Sequence, residues 1–530
     1  MFPDKIKTAA LLLFLLFFNH AYSIRYYVDV NASGTGSGTN WTNAFTDLQS
    51  ALSIAVFGDE IWVATGQYKP TGSTDRTVAF VLKDGVNIYG GFNGTETSLS
   101  QRDIALNPTT LSGDIGNTGD NADNSHNIIR GNNIASNITL DGFRIINGNS
   151  GSSYNGGGLK ITNTLSGNLL VKNCYFFNNI ATSYGGAIYL AAANLILEDC
   201  EFINNQSGSG NGGAICNGNN NGGYSNLIVR DTKFKNNVAR VGACLYNTVR
   251  FQTLTIERCL ITNNSSTISI LDINHFDTAR IMSTSIIGNR INDFSGNVLY
   301  VNGNNVNDIF EMTNCTFAHN YNTYINTIQD EIIRLEDSHL KISNCIIYGN
   351  TKYAGRQINT SATVSYSIVE GGHAAGINIL DMDPMFINPN QGGNTNFDAS
   401  SFDYTVMWNS PAVNSGDNSL LTPGHLLDLM QGQRIQGTIV DMGCYESSFL
   451  LTNNTLKMKD ESAVIYDYFK KSIQITDISK VQNKPFRIFN TQGKMVKYGF
   501  VVSNEIKLEL ASGIYIIIIE GRKNNSFVVN

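Results

Sequence analysis

The middle of the chain repeats a short phrase in which apolar and polar residues alternate. Alternation with a period of two predicts a β-strand with one face on a core, whereas a helix would space its apolar residues three or four positions apart. Neighbouring copies start 22 to 32 residues apart, which is typical of one supersecondary unit per repeat. Clear copies begin at Leu169, Leu195, Leu227, Leu254, Phe310 and Leu340, and weaker ones at Ile138, Arg280 and Ala362.

Each phrase predicts two short strands that meet at a bend. The alternation changes phase in the middle of the phrase, for example between Leu197 and Cys200. Asn or Asp recurs at that point, and both residue types tolerate the left-handed backbone of a tight bend. The predicted bend residues are Asn173, Asp199, Asp231, Asn314 and Asn344.

Glycine-rich apolar segments between the phrases predict a third strand in each turn. They begin at Gly156, Gly185, Gly212, Gly242 and Gly296. Three strands per turn, stacked in parallel on the next turn, pair the backbone groups of every strand. We therefore predict an all-β fold, a right-handed parallel β-helix. Asparagine pairs that end many phrases, such as Asn178 and Asn179, are expected to stack as amide ladders at a corner.

The regions outside the repeats predict a cap, a closing segment and a separate domain. An amphipathic helix with Phe45, Leu48, Leu52 and Ala55 on one face is expected to cover the open N-terminal end of the solenoid. Short strands and turns in the last 80 residues predict a small C-terminal β-sandwich. The predicted boundaries are 1–23 for a signal peptide, 24–130 for the cap and first coils, 131–372 for the repeat region, 373–446 for the closing segment, 447–461 for a linker and 462–530 for the sandwich.

Charge supports a boundary before the last domain. The net charge of the chain is −7, and only 15% of its residues are charged. Residues 24–450 carry 22 Lys and Arg against 35 Asp and Glu, a net of −13, while residues 451–530 carry 12 against 7, a net of +5. An acidic body argues against nucleic acid as a partner.

The N-terminus predicts export. Lys5 and Lys7 precede an apolar run over residues 9–18, and small residues follow at Ala21 and Ser23. This is the pattern of a signal peptide, and the apolar run is too short to span a membrane. No later apolar stretch is long enough for a span, so we expect no membrane span in the mature chain.

Three groups of motifs resemble surface-displayed or secreted β-helix proteins. The repeats with FxxN at Phe176, Phe202, Phe234 and Phe317 and with GGAI at Gly185 and Gly212 resemble those of chlamydial polymorphic outer-membrane proteins. The motifs DPMF at Asp383, SPAVNSGD at Ser410 and DMGCYE at Asp441 resemble the closing segment of surface β-helix proteins with interchangeable C-terminal anchors. The segments at Asp84 and Asn107 resemble the N-terminal part of secreted β-helix proteins of Bacteroidetes-type bacteria. The resemblance to the polymorphic outer-membrane proteins implies a surface-displayed β-helix and, by family analogy, adhesion.

The last domain resembles the sorting domain of the type IX secretion system. The residues that carry the resemblance are Gly493 and Lys494 at a turn and Gly513, Ile514 and Tyr515 in a strand. The resemblance implies that the secretion machinery is a partner and that the protein reaches the cell surface, the outer membrane or the medium.

Catalysis has to be considered because parallel β-helices host polysaccharide lyases and glycoside hydrolases. Such chemistry needs two carboxylates, or bound Ca²⁺ with a strong base. The candidates are Asp199 and Asp231 on neighbouring coils, with Glu201 and Lys233 nearby. Because Asn173 holds the same bend position, we interpret the aspartates as bend residues. No Lys or Arg recurs in a column beside them, so a calcium-dependent lyase would lack its base. We therefore predict no cofactor, and bound Ca²⁺ is the alternative.

Cysteine and histidine give no predicted metal or redox site. There is no CxxC and no HExxH. Five cysteines occupy one inward position of the phrase, which Thr232 and Ser285 are expected to share, so we predict small core residues with free thiols. These cysteines are Cys174, Cys200, Cys259, Cys315 and Cys345.

Exposed aromatic residues favour a sugar ligand. Candidates near the glycine motifs are Tyr154, Tyr184, Tyr224 and Tyr246, although the same residues could equally pack on the bases of loops. We predict an exported, non-catalytic, adhesin-like or glycan-binding protein whose ligand is a polysaccharide or a host or neighbouring-cell surface. A polysaccharide lyase or glycoside hydrolase and a structural surface spacer remain the alternatives.

Overall fold

The computed structural model describes residues 23–447 except 153, 165, 219–222, 248, 304, 325–330, 337–339, 352–355 and 391–396. It also describes 464–467, 472–475, 478–490, 494–508, 513–519 and 525–529. Residues 1–22 of the predicted signal peptide and 448–461 of the predicted linker lie outside these ranges. The chain divides into two compact units, residues 1–448 and 449–530.

The first unit is a right-handed parallel β-helix, as predicted. Sheet 1 contains the first strand of each phrase, sheet 2 the second strand, and sheet 3 the glycine-rich segments. All three are parallel ladders in which each strand pairs with its counterpart in the next coil. Nine described strands form sheet 3.

The strand bounds follow the repeat. Sheet 1 comprises Arg25–Val28, Glu60–Ala64, Asn87–Phe92, Ile138–Asp141, Leu169–Lys172, Asn194–Glu198, Ser225–Arg230, Phe251–Glu257, Phe276–Met282, Ile309–Thr313, Lys341–Ser343, Thr363–Val369 and Ile377–Leu380. Sheet 2 comprises Gly66–Tyr68, Thr109–Ser112, Phe143–Ile146, Tyr175–Phe177, Glu201–Ile203, Lys233–Lys235, Leu260–Thr262, Ser285–Ile287, Thr316–Ala318 and Ile346–Tyr348. Sheet 3 comprises Phe80–Val81, Ile129–Asn132, Leu159–Thr162, Ile188–Ala191, Ile215–Asn217, Leu245–Asn247, Ser269–Asn274, Asn297–Asn302 and Ile333–Leu335. Four short strands make a further parallel ladder: Val238–Ala239, Ser265–Ser266, Arg290–Ile291 and Tyr321–Asn322.

The bend between sheets 1 and 2 has the predicted left-handed backbone. All five predicted Asn and Asp residues have φ between 50° and 52°. Arg258 (φ 51°) and Ser283 (φ 43°) hold the same position in two further coils, so the fold imposes this conformation even on residues that disfavour it. We call the seven residues the bend column: Asn173, Asp199, Asp231, Arg258, Ser283, Asn314 and Asn344.

Asparagine ladders form at the corner that follows sheet 2, as predicted. The Asn205 side chain donates to Asn237 Oδ1 at 3.0 Å, and Asn237 donates to Asn264 Oδ1 at 2.9 Å. Each amide also donates to a carbonyl of the preceding coil and accepts a backbone N–H, so its polar atoms are satisfied although it is buried. The ladder contains Asn179, Asn205, Asn237, Asn264, Asn289, Asn320 and Asn350.

Small residues and stacked rings fill the interior. Phe202 stacks between Phe176 and Phe234, with ring centroids 4.7 and 4.9 Å apart. All eight cysteines are buried free thiols. The column of small residues contains Thr284, whereas Ser285 was predicted. In the structure Ala279, and not Arg280, pairs with Leu254, the first residue of its phrase. This weak copy therefore starts one residue earlier than predicted, which places Thr284 at the small-residue position.

The N-terminal cap is a short helix, Leu48–Ile54. Its N-cap residue Asp47 accepts a hydrogen bond from the Ser50 N–H at 2.8 Å, which satisfies a donor that has no partner within the helix. Leu48, Ala51 and Leu52 are buried against the first coils. The first apolar layer of the solenoid is therefore covered, as the spacing predicted.

The closing segment folds back over the last coils. It contains the antiparallel pair Phe386–Asn388 and Asp403–Val406 and the 3₁₀ turns Ala399–Ser401 and Asn418–Leu420. A further 3₁₀ turn, Leu99–Gln101, precedes the second strand of sheet 2. Phe386 and Tyr404 of the closing segment pack with Ile287, Ala318 and Ile346 on the outer face of sheet 2.

The second unit contains two antiparallel sheets with one shared core, which agrees with the predicted small sandwich. Ile473, Ile506, Ile488 and Ile517 contribute to that core from both sheets. The three-stranded sheet comprises Val464–Asp467, Ser472–Ile475 and Glu505–Lys507, and the four-stranded sheet comprises Met495–Phe500, Pro485–Asn490, Gly513–Ile519 and Asn525–Val529, with a 3₁₀ turn at Ile478–Lys480. No helix in the described part of the chain is long and apolar enough to cross a membrane.

Candidate functional site

A polar groove follows the open part of the bend column. On its sheet 1 side lies a cavity of about 540 Å³, and on its sheet 2 side one of about 480 Å³. Asp199 lines both, so the two cavities adjoin there. We call the pair the bend groove. The loop at Ile104, Ala105 and Pro108 borders one end, and Gly424 and Gln431 of the closing segment border the other.

The sheet 1 side of the groove is a ladder of alternating charge. Lys172, Glu198, Arg230 and Glu257 are the last residues of four successive strands and pair in register. Because stacked strands lie about 4.8 Å apart, each side chain has an opposite charge on the neighbouring coil. Arg230 contacts Glu198 at 3.5 Å and Glu257 at 3.2 Å.

The bend residues add a second row of charge. Lys172 Nζ lies 3.5 Å from Glu198 and 3.6 Å from Asp199. Arg258 donates to both oxygens of Asp231, at 2.8 and 2.9 Å, and also contacts Glu257. Such a bidentate ion pair fixes the orientation of both side chains.

The expectation that no Lys or Arg recurs in a column beside Asp199 and Asp231 is wrong, because Lys172 and Arg230 lie in one register column there. Lys172 and Arg258 contact these two aspartates directly. Reading each strand by itself hid this pattern, because the partners of a charge lie 26 to 32 residues away and meet only when the coils stack. Comparing the same phrase position from copy to copy would have found the alternation.

These cations are poorly suited to accept a proton. Partial burial alone would lower the pKa of Lys172, but Asp199 and Glu198 raise it above its ordinary value overall. The hydrogen bonds from Arg258 to Asp231 raise the pKa of that guanidinium, and Glu257 adds to the effect against burial. A catalytic base must be deprotonated near the working pH. Within the described ranges, no group of three or more His, Cys, Asp or Glu side chains has the geometry of a metal site.

The sheet 2 side presents a mixed column. Arg144, Tyr175 and Glu201 are register neighbours on three successive coils and line the cavity. Glu201 accepts a hydrogen bond from Lys233 of the next coil at 2.9 Å. The predicted candidates Asp199, Asp231 and Glu201 therefore lie in the groove, and Lys233 lies beside it as a partner.

None of the four candidate tyrosines lines the groove. Tyr154 stacks on the His126 ring with centroids 4.2 Å apart, and Tyr246 packs on the cluster that contains Cys216. Tyr184 and Tyr224 are exposed. Tyr154 and Tyr246 therefore match the alternative in which aromatic residues pack on their surroundings.

The sorting-domain residues are only partly described. Lys494 is exposed, and its N–H donates to the Asn490 side chain at 2.9 Å. Gly513, Ile514 and Tyr515 lie in the strand Gly513–Ile519. Gly493 lies outside the described residues.

Neither a protein-family model nor a curated protein matches this chain. Among solved structures the chain is similar to "Crystal structure of pectate lyase Pel9A", with 12% sequence identity and a TM-score of 0.39, over 81% of this chain and 97% of that one. A likeness this distant carries no argument about activity, so the chemistry of the groove has to supply it.

Proposed function

We propose that this chain is an exported, adhesin-like β-helix protein that binds a polysaccharide in the bend groove and does not cleave it. The observation that carries the proposal is the groove itself. From Gly142 to Arg258 it crosses four coil steps, a length of roughly 19 Å, which suits an extended chain more than a small molecule. Its sheet 1 side alternates hydrogen-bond donors and acceptors, which match the hydroxyl groups of sugars.

The pairing of the groove's charges supports binding over cleavage. Both Lys172 and Arg258 are held protonated by neighbouring carboxylates, as their raised pKa values indicate. Asp199 contacts Lys172 and Asp231 contacts Arg258, so both carboxylates already have an ion-pair partner within the protein. The groups are therefore suited to orient a ligand.

Export and surface location rest on the sequence patterns. The signal peptide pattern supports passage through the inner membrane. The resemblance of residues 462–530 to a type IX sorting domain supports delivery to the cell surface, the outer membrane or the medium, with the secretion machinery as partner. The cleavage that this route implies would leave the β-helix as the active body.

The test incubates the full chain with a panel of neutral and acidic polysaccharides, with and without Ca²⁺. Co-sedimentation and new reducing ends are measured in the same tubes. We expect sedimentation without new ends. Arg230→Gln should weaken sedimentation, because Arg230 lines the groove and its N–H groups can donate to sugar hydroxyl groups.

Arg280→Gln is the matched control. Arg280 is also a partly exposed arginine paired with a glutamate, Glu311, at 2.8 Å, but it does not line either cavity. New reducing ends that depend on Asp199 would make the protein a lyase or hydrolase. Absence of both signals across the panel would favour a structural spacer.

A further inference from the structure

The cations that border the bend groove differ in whether they have a partner. Lys172, Arg230 and Arg258 all contact carboxylates, and Lys233 contacts Glu201. A paired cation has little capacity to bind a charged ligand, because the ligand would first have to displace the carboxylate. A cation without such a partner would therefore dominate recognition of an anion.

Arg144 is that cation. It is exposed in the strand Phe143–Ile146 and lines the groove on the sheet 2 side. Its backbone pairs with the neighbouring strands, but its side chain makes no hydrogen bond or ion pair with any residue that the structure describes. The acidic residue of its own column, Glu201, lies two coils away and is paired with Lys233. The five N–H donors of its guanidinium are free to bind an anionic group.

An aromatic ring lies directly beside Arg144. Tyr175 is the register neighbour of Arg144 on the next coil and lines the same cavity. The Tyr175 ring stacks on Phe177 with centroids 5.6 Å apart and an interplanar angle of 17°, which holds it in place. A fixed ring is a platform for the apolar face of a sugar, at low entropic cost.

We propose that the ligand of the bend groove is a polysaccharide that carries anionic groups, carboxylate or sulfate, with one such group on Arg144 and its sugar ring on Tyr175. The inference rests on the proposed function, because it names the ligand class of the same groove. The body of the protein, residues 24–450, has a net charge of −13, so general attraction of a polyanion is absent and binding depends on this local site.

The test measures the affinity of the full chain for oligosaccharides that share one backbone and length. One bears uronate carboxylates, the second is its neutral carboxyl-reduced form, and the third is that neutral form after sulfation. Polyglutamate is the fourth probe. A hydrogen bond to a charged group strengthens binding more than one to a neutral group does. At least one charged sugar should therefore bind about tenfold more tightly than the neutral one. The charged form that does so identifies the anion.

Variants separate the charge from the platform. Arg144→Gln should reduce the affinity for the charged sugar much more than the affinity for the neutral one, and so remove the tenfold preference. Arg144→Lys should retain only part of that preference. Tyr175→Leu should weaken charged and neutral sugars alike. Arg280→Gln, outside the groove, should change none of these values.

Each failure has a distinct meaning. Equal affinity for charged and neutral sugars, or a preference that survives Arg144→Gln, would overturn this inference and leave the proposed function standing. Polyglutamate that binds as tightly as the charged sugar would overturn the sugar part of the inference and indicate a protein partner. Absence of binding to all four probes would overturn both proposals.

Discussion

The bend column has two halves that share a backbone and differ in what covers them. In the first half Asn173, Asp199, Asp231 and Arg258 border an open groove. In the second half the closing segment covers the column. Ser283 contacts His425 Nε2 at 2.7 Å, the Asn314 amide donates to the Asp441 carbonyl at 2.9 Å, and the Asn344 amide donates to the Asp417 carbonyl at 3.0 Å. The same column can therefore hydrogen-bond another segment of the chain, as in the second half, or stay uncovered, as in the first.

The residue types follow this difference. Three of the four open bends hold a charged residue (Asp199, Asp231 and Arg258), and the fourth holds Asn173. The covered bends hold Ser283, Asn314 and Asn344, which are uncharged and fully buried. Burying an unpaired charge costs far more than burying a hydroxyl or amide that finds a hydrogen-bond partner. Charge is thus retained where the column faces solvent, which is also where an outside ligand can reach it.

The largest loss of stability should follow from breaking the buried ion pair within the closing segment. Arg434 and Glu446 are each 1% exposed and lie 2.7 Å apart within the closing segment. Arg434→Met should lower the free energy of unfolding by about 3 to 5 kcal/mol, because Glu446 would stay buried without its counter-charge. Urea titration measures the loss, and limited proteolysis reports whether the closing segment detaches.

The double variant Arg434→Met with Glu446→Gln is the control. Removing both charges should recover a large part of the loss. A double variant no more stable than Arg434→Met would show that packing, and not the unpaired carboxylate, causes the effect.

A smaller, equal effect in both halves should follow from breaking the asparagine ladder. Asn205 lies beside the open half and Asn320 beside the covered half, and both are completely buried with the same set of hydrogen bonds. Asn205→Ala and Asn320→Ala should each cost about 3 kcal/mol, because each leaves buried backbone and amide groups unsatisfied. Urea titrations of the two variants make the comparison. Values that differ by more than about 1 kcal/mol would mean that the two halves do not share one scaffold, given the usual scatter of such measurements.

The smallest effect is a loss of stability at low pH, and it acts through His425 of the closing segment. Burial, together with Arg434 and Arg258, lowers the pKa of His425 from 6.5 to about 4. In the unfolded chain the imidazole takes up a proton near its ordinary pKa, whereas in the folded chain it takes up the proton only at a lower pH. Stability should therefore fall as the pH drops from about 6.5 towards 4, by about 2 kcal/mol between pH 7 and pH 5.

His425→Gln isolates this contribution, because all other titrating groups are common to both proteins. The difference in unfolding free energy between the two proteins, measured by urea titration at pH 7 and pH 5, should change by the stated amount. A difference independent of pH would show that His425 titrates alike in the folded and unfolded chains.

Local patterns predicted much of the fold. The alternation in phrases such as that of Leu195 predicted two strands, its change of phase predicted the bend, and repeated asparagines predicted the ladder. These features depend on residues close in sequence or on the same position in each repeat. The bend groove did not follow, since its lining combines bend residues with a loop near Ile104 and with Gln431.

The sequence by itself determined the parallel β-helix, its capping helix and the separate C-terminal sheets, because period-two alternation and helical spacing act over a few residues. Only the tertiary structure decided which charges are paired and which half of the bend column is open. Arg258 meets Asp231 across 27 residues, and His425 meets Ser283 across 142. Such contacts depend on coil register and on the path of the closing segment, and no single phrase read by itself contains either.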